Sequence, residues 1–224
     1  MPSREEAAPE CLASSRHFWN SKAKENPYWY VSSYGPYEGR NLNEFWASGQ
    51  QIWNELKHAT GYRPSRSHLA VEIGCGVGRL TRAIAKDTGS VHAFDISEEM
   101  IDLARQNDLQ NTTFHINDGA SLDLPTSCAD GVVAYCVFQH LPSVKMLGRY
   151  LHEMKRVAKP GALLAFTTCA RDWKDSFQAV IRAKAFLKGM LGLQPRGLHK
   201  TAWAFARRAG KSSRFARFRL PRQR

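Results

Sequence analysis

Val71-Glu72-Ile73-Gly74-Cys75-Gly76-Val77-Gly78 is the stretch on which the reading of this chain turns. Three glycines stand at every second position, after a strand candidate (His68–Ile73) and before a helix start (Arg79–Lys86). Such a loop turns sharply and lets the backbone approach a ligand closely, with the positive end of a helix beyond it. The dinucleotide fingerprint needs a glycine at the sixth position. Counted from Gly74 that position is Arg79, and counted from Gly76 it is Thr81, so the pyrophosphate loop is not written here. No Gly-Lys-Ser/Thr follows, which excludes a P-loop.

Downstream of the loop, short apolar runs alternate with helical patterns. Ser90–Ile96 and Thr112–Ile116 read as strands, and Gly131–Val137 is continuous in apolar character, as a strand covered on both faces should be. Ser97 has the chemistry of an N-cap, with Glu98 and Glu99 in the positive first turn of a helix to about Gln106. Val144, Leu147, Leu151, Met154 and Val157 recur at helical spacing; Lys159-Pro160-Gly161 ends that helix and Ala162–Thr168 is a fifth strand. The order β-α-β-α-β-β-α-β predicts an open α/β sheet with right-handed crossovers.

Three acids fall at successive strand ends. Glu72 would repel a phosphate and suits a ligand with an ammonium group. Asp95, at the end of the second strand, stands where a carboxylate accepts hydrogen bonds from ribose hydroxyls. Asp118, after the third, can take the exocyclic amine of an adenine. Each could separately be a satisfied strand end or a loop cap; together they point into one crevice at the carboxyl ends of the strands.

The 224 residues suit one domain with a margin for a cap or tail, and 43% hydrophobic with 23% charged residues supports a full core. No apolar run approaches the roughly 18 residues needed to cross a bilayer. The acidic N-terminus (Glu5, Glu6, Glu10) lacks the apolar region of a secretory signal. Cys11, Cys75, Cys128, Cys136 and Cys169 show no CxxC spacing, so neither a disulfide framework nor a metal site is expected, and a cytoplasmic setting is the simplest reading. The net charge of +12 is unevenly placed. Residues 1–175 hold 19 Lys and Arg against 20 Asp and Glu, whereas residues 176–224 hold 13 Lys and Arg and no acid.

Several motifs in order resemble class I S-adenosylmethionine-dependent methyltransferases of the type 11 subgroup. Glu72-x-Gly74-x-Gly76-x-Gly78 is similar to their motif I, and Phe94-Asp95-Ile96-Ser97-Glu98-Glu99-Met100 to their second motif. Asn117-Asp118-Gly119 is similar to the adenine-contacting turn, Val133–Pro142 to the segment after strand 4, and Val157–Gly161 to the turn before strand 5. The resemblance covers about residues 68–169, and more weakly Asn26–Val31 and Phe45–Gly49. It implies a Rossmann-like, mostly parallel sheet of order 3-2-1-4-5 with helices on both faces, and S-adenosyl-L-methionine as cofactor. It implies further that Glu72, Gly74, Gly76 and Gly78 line the methionine end, with Cys75 a small filler in the loop. Asp95 would hold the ribose, Ile96 and Met100 would lie against the adenine, and Asp118 and Gly119 at its edge. Tyr135 and Cys136 would lie near the sulfonium.

The expected organisation is an aromatic-rich helical cap over 1–62, a cofactor-binding domain over 63–170 and a basic amphipathic helix (Trp173–Leu191) with a disordered tail over 171–224. Asn41–Lys57 reads as a helix of the cap. The cap's aromatics suit either ordinary packing or a lid over a small-molecule pocket. Tyr28, Trp29, Tyr30 and Gln139 are the acceptor-side candidates. His140 is the candidate base, or else a helix-start histidine bonded to backbone. Class I methyltransferases add strands 6 and 7 after strand 5, and here both are doubtful: residues 176–224 hold only Val180, Ile181 and Thr201 as β-branched residues and show no alternation. A truncated end replacing those strands would leave the edge at Ala162–Thr168 bare. The leading expectation is a methyltransferase acting on a small molecule. An RNA methyltransferase using the tail as an electrostatic arm, or a non-catalytic cofactor-binding protein, are the alternatives.

Overall fold

A computed structural model describes residues 7–32, 36–119, 121–169 and 213–219. Three helices come first: α1 (Ala7–Glu25), α2 (Pro27–Ser32) and α3 (Leu42–Thr60). An alternating unit follows: β1 (Leu69–Ile73), α4 (Thr81–Asp87), β2 (Ser90–Asp95), α5 (Glu98–Arg105), β3 (Thr112–Ile116), β4 (Ala129–Ala134), α6 (Val144–Val157) and β5 (Ala158–Cys169). A last strand, β6, spans Ser213–Arg219. The sheet runs β3-β2-β1-β4-β5-β6, so the first five strands have the expected order 3-2-1-4-5. They pair parallel throughout.

Alternation along the strands assigns the two faces of the core. Val71, Ile73, Phe94, Val132 and Leu164 pack with Tyr150, Leu151, Met154 and Val157 of α6. Ala70, Val91, Ala93, Val133 and Leu163 pack on the other face with Trp53 and Leu56 of α3, Ala83 and Ile84 of α4 and Ile101 of α5. Trp53 is fully buried and its indole N–H donates to Asp87 at 2.8 Å, so the ring's one polar atom is satisfied.

The helix boundaries follow local chemistry. Asn41 caps α3, its side-chain oxygen accepting from the amides of Asn43 and Glu44, and Gly61 closes the helix at φ +66°. Ser97 caps α5, accepting from the Met100 amide at 3.2 Å, and Ser143 caps α6 in the same way.

The C-terminal expectation needs correction. Residues 213–219, expected to be disordered and without strand character, form β6. It pairs antiparallel with β5 in the register Leu163↔Arg219 to Cys169↔Ser213. The β5 edge over Ala162–Thr168 is therefore covered rather than bare. An antiparallel edge strand takes its stability from the unpaired backbone groups it finds on its neighbour, so weak local propensity does not forbid it. The helix expected over Trp173–Leu191 lies outside the described residues.

Candidate active site

The glycine loop begins where β1 ends and is tied to β2. The Gly74 and Cys75 amides donate to the Phe94 carbonyl at 2.7 and 3.0 Å, and the Gly76 amide donates to Asp95 Oδ2 at 2.8 Å. Gly74, Gly76 and Gly78 all have positive φ, at 71°, 54° and 84°. Gly76 cannot be another residue without movement: a Cβ there would lie 2.6 Å from a methyl of Val31 on α2.

Glu72 is buried just before the loop and accepts from the Thr81 hydroxyl at 2.6 Å. Burial lifts its pKa to about 7, against the Thr81 bond and the nearby Arg79 cation. Asp95 closes β2, its Oδ1 accepting from the Ser97 amide at 2.9 Å. Burial raises its pKa too, opposed by the amides of Ser97, Gly76 and Ile96. Cys75 is buried, and burial pushes its thiol well up, which fits an inert filler.

The third strand end supplies a turn. Asn117 is buried, its carboxamide donating to the Tyr150 hydroxyl at 3.2 Å and accepting from the Gly119 amide at 3.1 Å. A Cβ on Gly119 would lie 2.3 Å from Leu12 of α1 and 3.4 Å from Ile96. Asp118 is exposed, with its two oxygens accepting from the amide and hydroxyl of Ser121 at 2.7 and 2.9 Å. Met100 is buried against the cap, in a cluster with Ala23, Phe45 and Val77.

After β4, Tyr135 precedes Cys136, a non-glycine residue at φ +59° whose amide donates to the Thr167 hydroxyl at 2.6 Å. Gln139 and His140 lie in a 3-10 turn at Phe138–His140, with the Gln139 amide nitrogen 3.1 Å from His140 Nε2. The His140 ring meets Trp19 edge-on at 5.1 Å, and its withdrawal from water lowers its pKa. At pH 7 the imidazole is therefore neutral and able to accept a proton.

The cap closes over these strand ends with residues that the sequence reading did not single out. Arg16 donates to the Asn117 carbonyl at 3.0 Å, the Ser97 hydroxyl donates to Asn20 at 2.7 Å, and Lys24 pairs with Glu99 at 2.9 Å. Leu12, Trp19 and Val31 complete the cover. The lid aromatics face elsewhere. Tyr28 packs edge-on to Phe45 at 5.2 Å. Trp29 packs on Tyr30 and Tyr37, whose hydroxyls both donate to Glu25. The signal for Leu12 and Trp19 lay in α1, whose apolar residues are too scattered to mark one face.

A positive-φ glycine loop, a carboxylate held on its amide and a buried acid beside it fit a ligand with a ribose and an amino-acid end. That combination, at the carboxyl edge of a 3-2-1-4-5 sheet, defines a class I nucleoside-binding methyltransferase site. Comparison with known proteins agrees. Residues 71–166 match the Methyltransferase domain family. The chain is 30% identical over 194 residues to the ubiquinone biosynthesis O-methyltransferase of Methylococcus capsulatus, covering 79% of this chain and 78% of that one. It spans about half the length of further bacterial enzymes of that name. Among solved structures, Haemonchus contortus phosphoethanolamine N-methyltransferase 1, in complex with phosphoethanolamine and S-adenosylhomocysteine, aligns with a TM-score of 0.62 at 17% identity over 77% of this chain and 35% of that one. The DhpI–SAH complex aligns at 0.58 and 18% identity, over 79% and 87%. The chain belongs to the class I S-adenosylmethionine-dependent methyltransferases. Its cofactor is S-adenosyl-L-methionine. Among the described residues no helix is long and apolar enough to cross a membrane, and no cluster of three or more His, Cys, Asp or Glu could hold a metal.

Proposed function

We propose that this enzyme methylates a hydroxyl of a small aromatic acceptor. The observation that carries the reading is the cap. Leu12 lies against Gly119 and Val31 against Gly76, so α1 and α2 enclose the crevice on the side from which a macromolecule would approach. The similarity to ubiquinone biosynthesis O-methyltransferases supports a hydroxyl as the accepting group.

The cofactor supplies a methyl group on a positively charged sulfur, ready for in-line displacement. The chain's own residues have the remaining tasks. Gly74, Gly76 and Gly78 would admit the methionine end, with Glu72 beside its ammonium. Asp95 keeps its place by accepting from Gly76 and Ser97 and would take the ribose hydroxyls. Ile96 and Gly119 would border the adenine, and Tyr135 and Cys136 the sulfonium. His140, neutral and buttressed by Trp19, would take the acceptor's proton. The enclosed site would exclude water and hold the two reactants in line, which can supply much of the rate enhancement.

The test is titration of the purified protein with S-adenosylmethionine and S-adenosylhomocysteine beside Asp95→Ala, followed by mass spectrometry of a reaction with catechol. Micromolar binding lost in the variant, with a monomethylated product, supports the reading. Binding without transfer to any phenol, but with transfer to RNA, would replace the acceptor.

A further inference from the structure

Arg79 follows Gly78 directly and is only 6% exposed. Its guanidinium makes hydrogen bonds to neutral groups: Nη1 donates to the Ser48 hydroxyl and Nη2 to the Val31 carbonyl, both at 3.2 Å. It stands 5.6 Å from the centre of the Phe45 ring and 6.0 Å from that of Tyr135. Among the described residues it makes no ion pair. Glu72 acts on it only over a longer distance, and Arg40 adds a second positive charge nearby. Proteins keep buried charges paired, because a desolvated ion without a counter-charge is costly. Hydrogen bonds to a hydroxyl and a carbonyl, with two aromatic faces, offset only part of that cost.

The position of this cation is informative. Val31 covers Gly76, Ser48 lies on α3 and Tyr135 follows β4, so the guanidinium sits at the loop where the cap meets the end of β4. Glu72, a buried acid, flanks the same loop on its other side. An acid and a base of opposite sign on either side of one loop complement a zwitterion, whose ammonium and carboxylate share one carbon. The planar donor fork of arginine matches a carboxylate well.

We propose that Arg79 is a carboxylate-binding residue of the crevice, the counterpart of Glu72 in holding an α-amino-acid end. The proposal rests on the methyltransferase reading. The carboxylate comes either from the methionine end of the cofactor or from an acidic acceptor, and the experiment separates the two.

The full chain, Arg79→Lys and Arg79→Gln are titrated with S-adenosylhomocysteine and with its decarboxylated analogue, 5′-deoxy-5′-(3-aminopropylthio)adenosine, which keeps the amine. A charge-assisted pair predicts that the wild type binds the carboxylate form about tenfold or more tightly than the analogue. In Arg79→Gln that ratio falls toward one while the analogue's own affinity holds. In a second arm, protein saturated with S-adenosylhomocysteine is titrated with 3,4-dihydroxybenzoate and with catechol. A preference for the acid that Arg79→Gln abolishes assigns the carboxylate to the acceptor. Arg79→Lys retains the cation, so it serves where Arg79→Gln does not fold, and a partial loss of either ratio then supports the proposal. Unchanged ratios in a folded variant make Arg79 a structural tie between cap and loop and overturn it. A wild type that binds both nucleosides equally and prefers neither phenol overturns it without any variant. A wild type that binds neither nucleoside overturns the methyltransferase reading itself.

Discussion

The amide of Gly76 donates to the carboxylate of Asp95 at 2.8 Å, which ties the glycine loop after β1 to the end of β2. The backbone that must approach the cofactor and the acid that must hold its ribose are thus set by one bond. Val31 rests on the outer side of the same glycine. A Cβ at Gly76 would meet that methyl at 2.6 Å, in a backbone conformation of φ +54°. Gly76→Ala is expected to cost about 1–3 kcal/mol of stability, from strain and displacement of α2 together. Pairing it with Val31→Ala should restore part of that loss. Thermal melts of the two single variants and the double check this, and strict additivity would show that the two residues do not meet.

Glu72 gives a pH dependence. Its folded pKa of about 7 lies above the model value of 4.5 for a glutamate, so the folded protein holds this proton more tightly than the unfolded chain. The stability it contributes is full below about 4.5 and is lost as pH rises toward and through 7. The loss is on the order of 3 kcal/mol above that range. Glu72→Gln should therefore gain on the wild type in denaturant titrations between pH 5 and pH 8. Cofactor affinity should behave in the opposite sense. The wild type should bind S-adenosylhomocysteine more tightly at pH 8 than at pH 6, as the carboxylate forms opposite the ammonium, whereas Glu72→Gln should bind weakly at both. An equal pH response in the variant would remove Glu72 from that role.

For His140 the expected signature is kinetic. His140→Ala should leave S-adenosylhomocysteine affinity within about twofold and lower kcat by roughly a hundredfold or more on a phenol, as removal of a general base does. The lowered pKa of the imidazole places the acid limb of the wild-type pH–rate profile below the ordinary histidine value of 6.5, and that limb should vanish in the variant. An unchanged kcat would leave His140 as a partner of Trp19 alone.

The edge of the sheet can be tested by shortening the chain. Removing residues 213–224 strips β6 from β5 and frees the backbone groups that Leu163 to Cys169 present. The shortened protein should melt earlier and associate in a concentration-dependent way, because a free edge is a template for pairing. Light scattering across a dilution series reads this directly, and a monomeric, equally stable product would show that β6 is dispensable.

The parts of this protein that were legible in the sequence depend on neighbours along the chain. The alternate glycines, the capping serines at 97 and 143, Asn41 before α3 and the period of α6 each act within a few residues, so spacing reveals them. Strand ends blur by a few residues. β4 begins at Ala129 and β5 at Ala158, earlier than the apolar runs suggest, because pairing with a neighbour extends a strand past its most apolar part.

By itself the sequence determined the alternation of strands and helices, the glycine loop and the acids at the strand ends, since each follows from local sterics, capping and hydrophobic period. Only the tertiary structure decided what covers the site and what closes the sheet. Asn20 meets Ser97 across 77 positions, Leu12 meets Gly119, and β6 pairs with β5. The physical reason is the same in each case. α1 and β6 have no strong periodic pattern of their own, and they take their place from surfaces and unpaired backbone groups that exist only once the rest of the chain has folded.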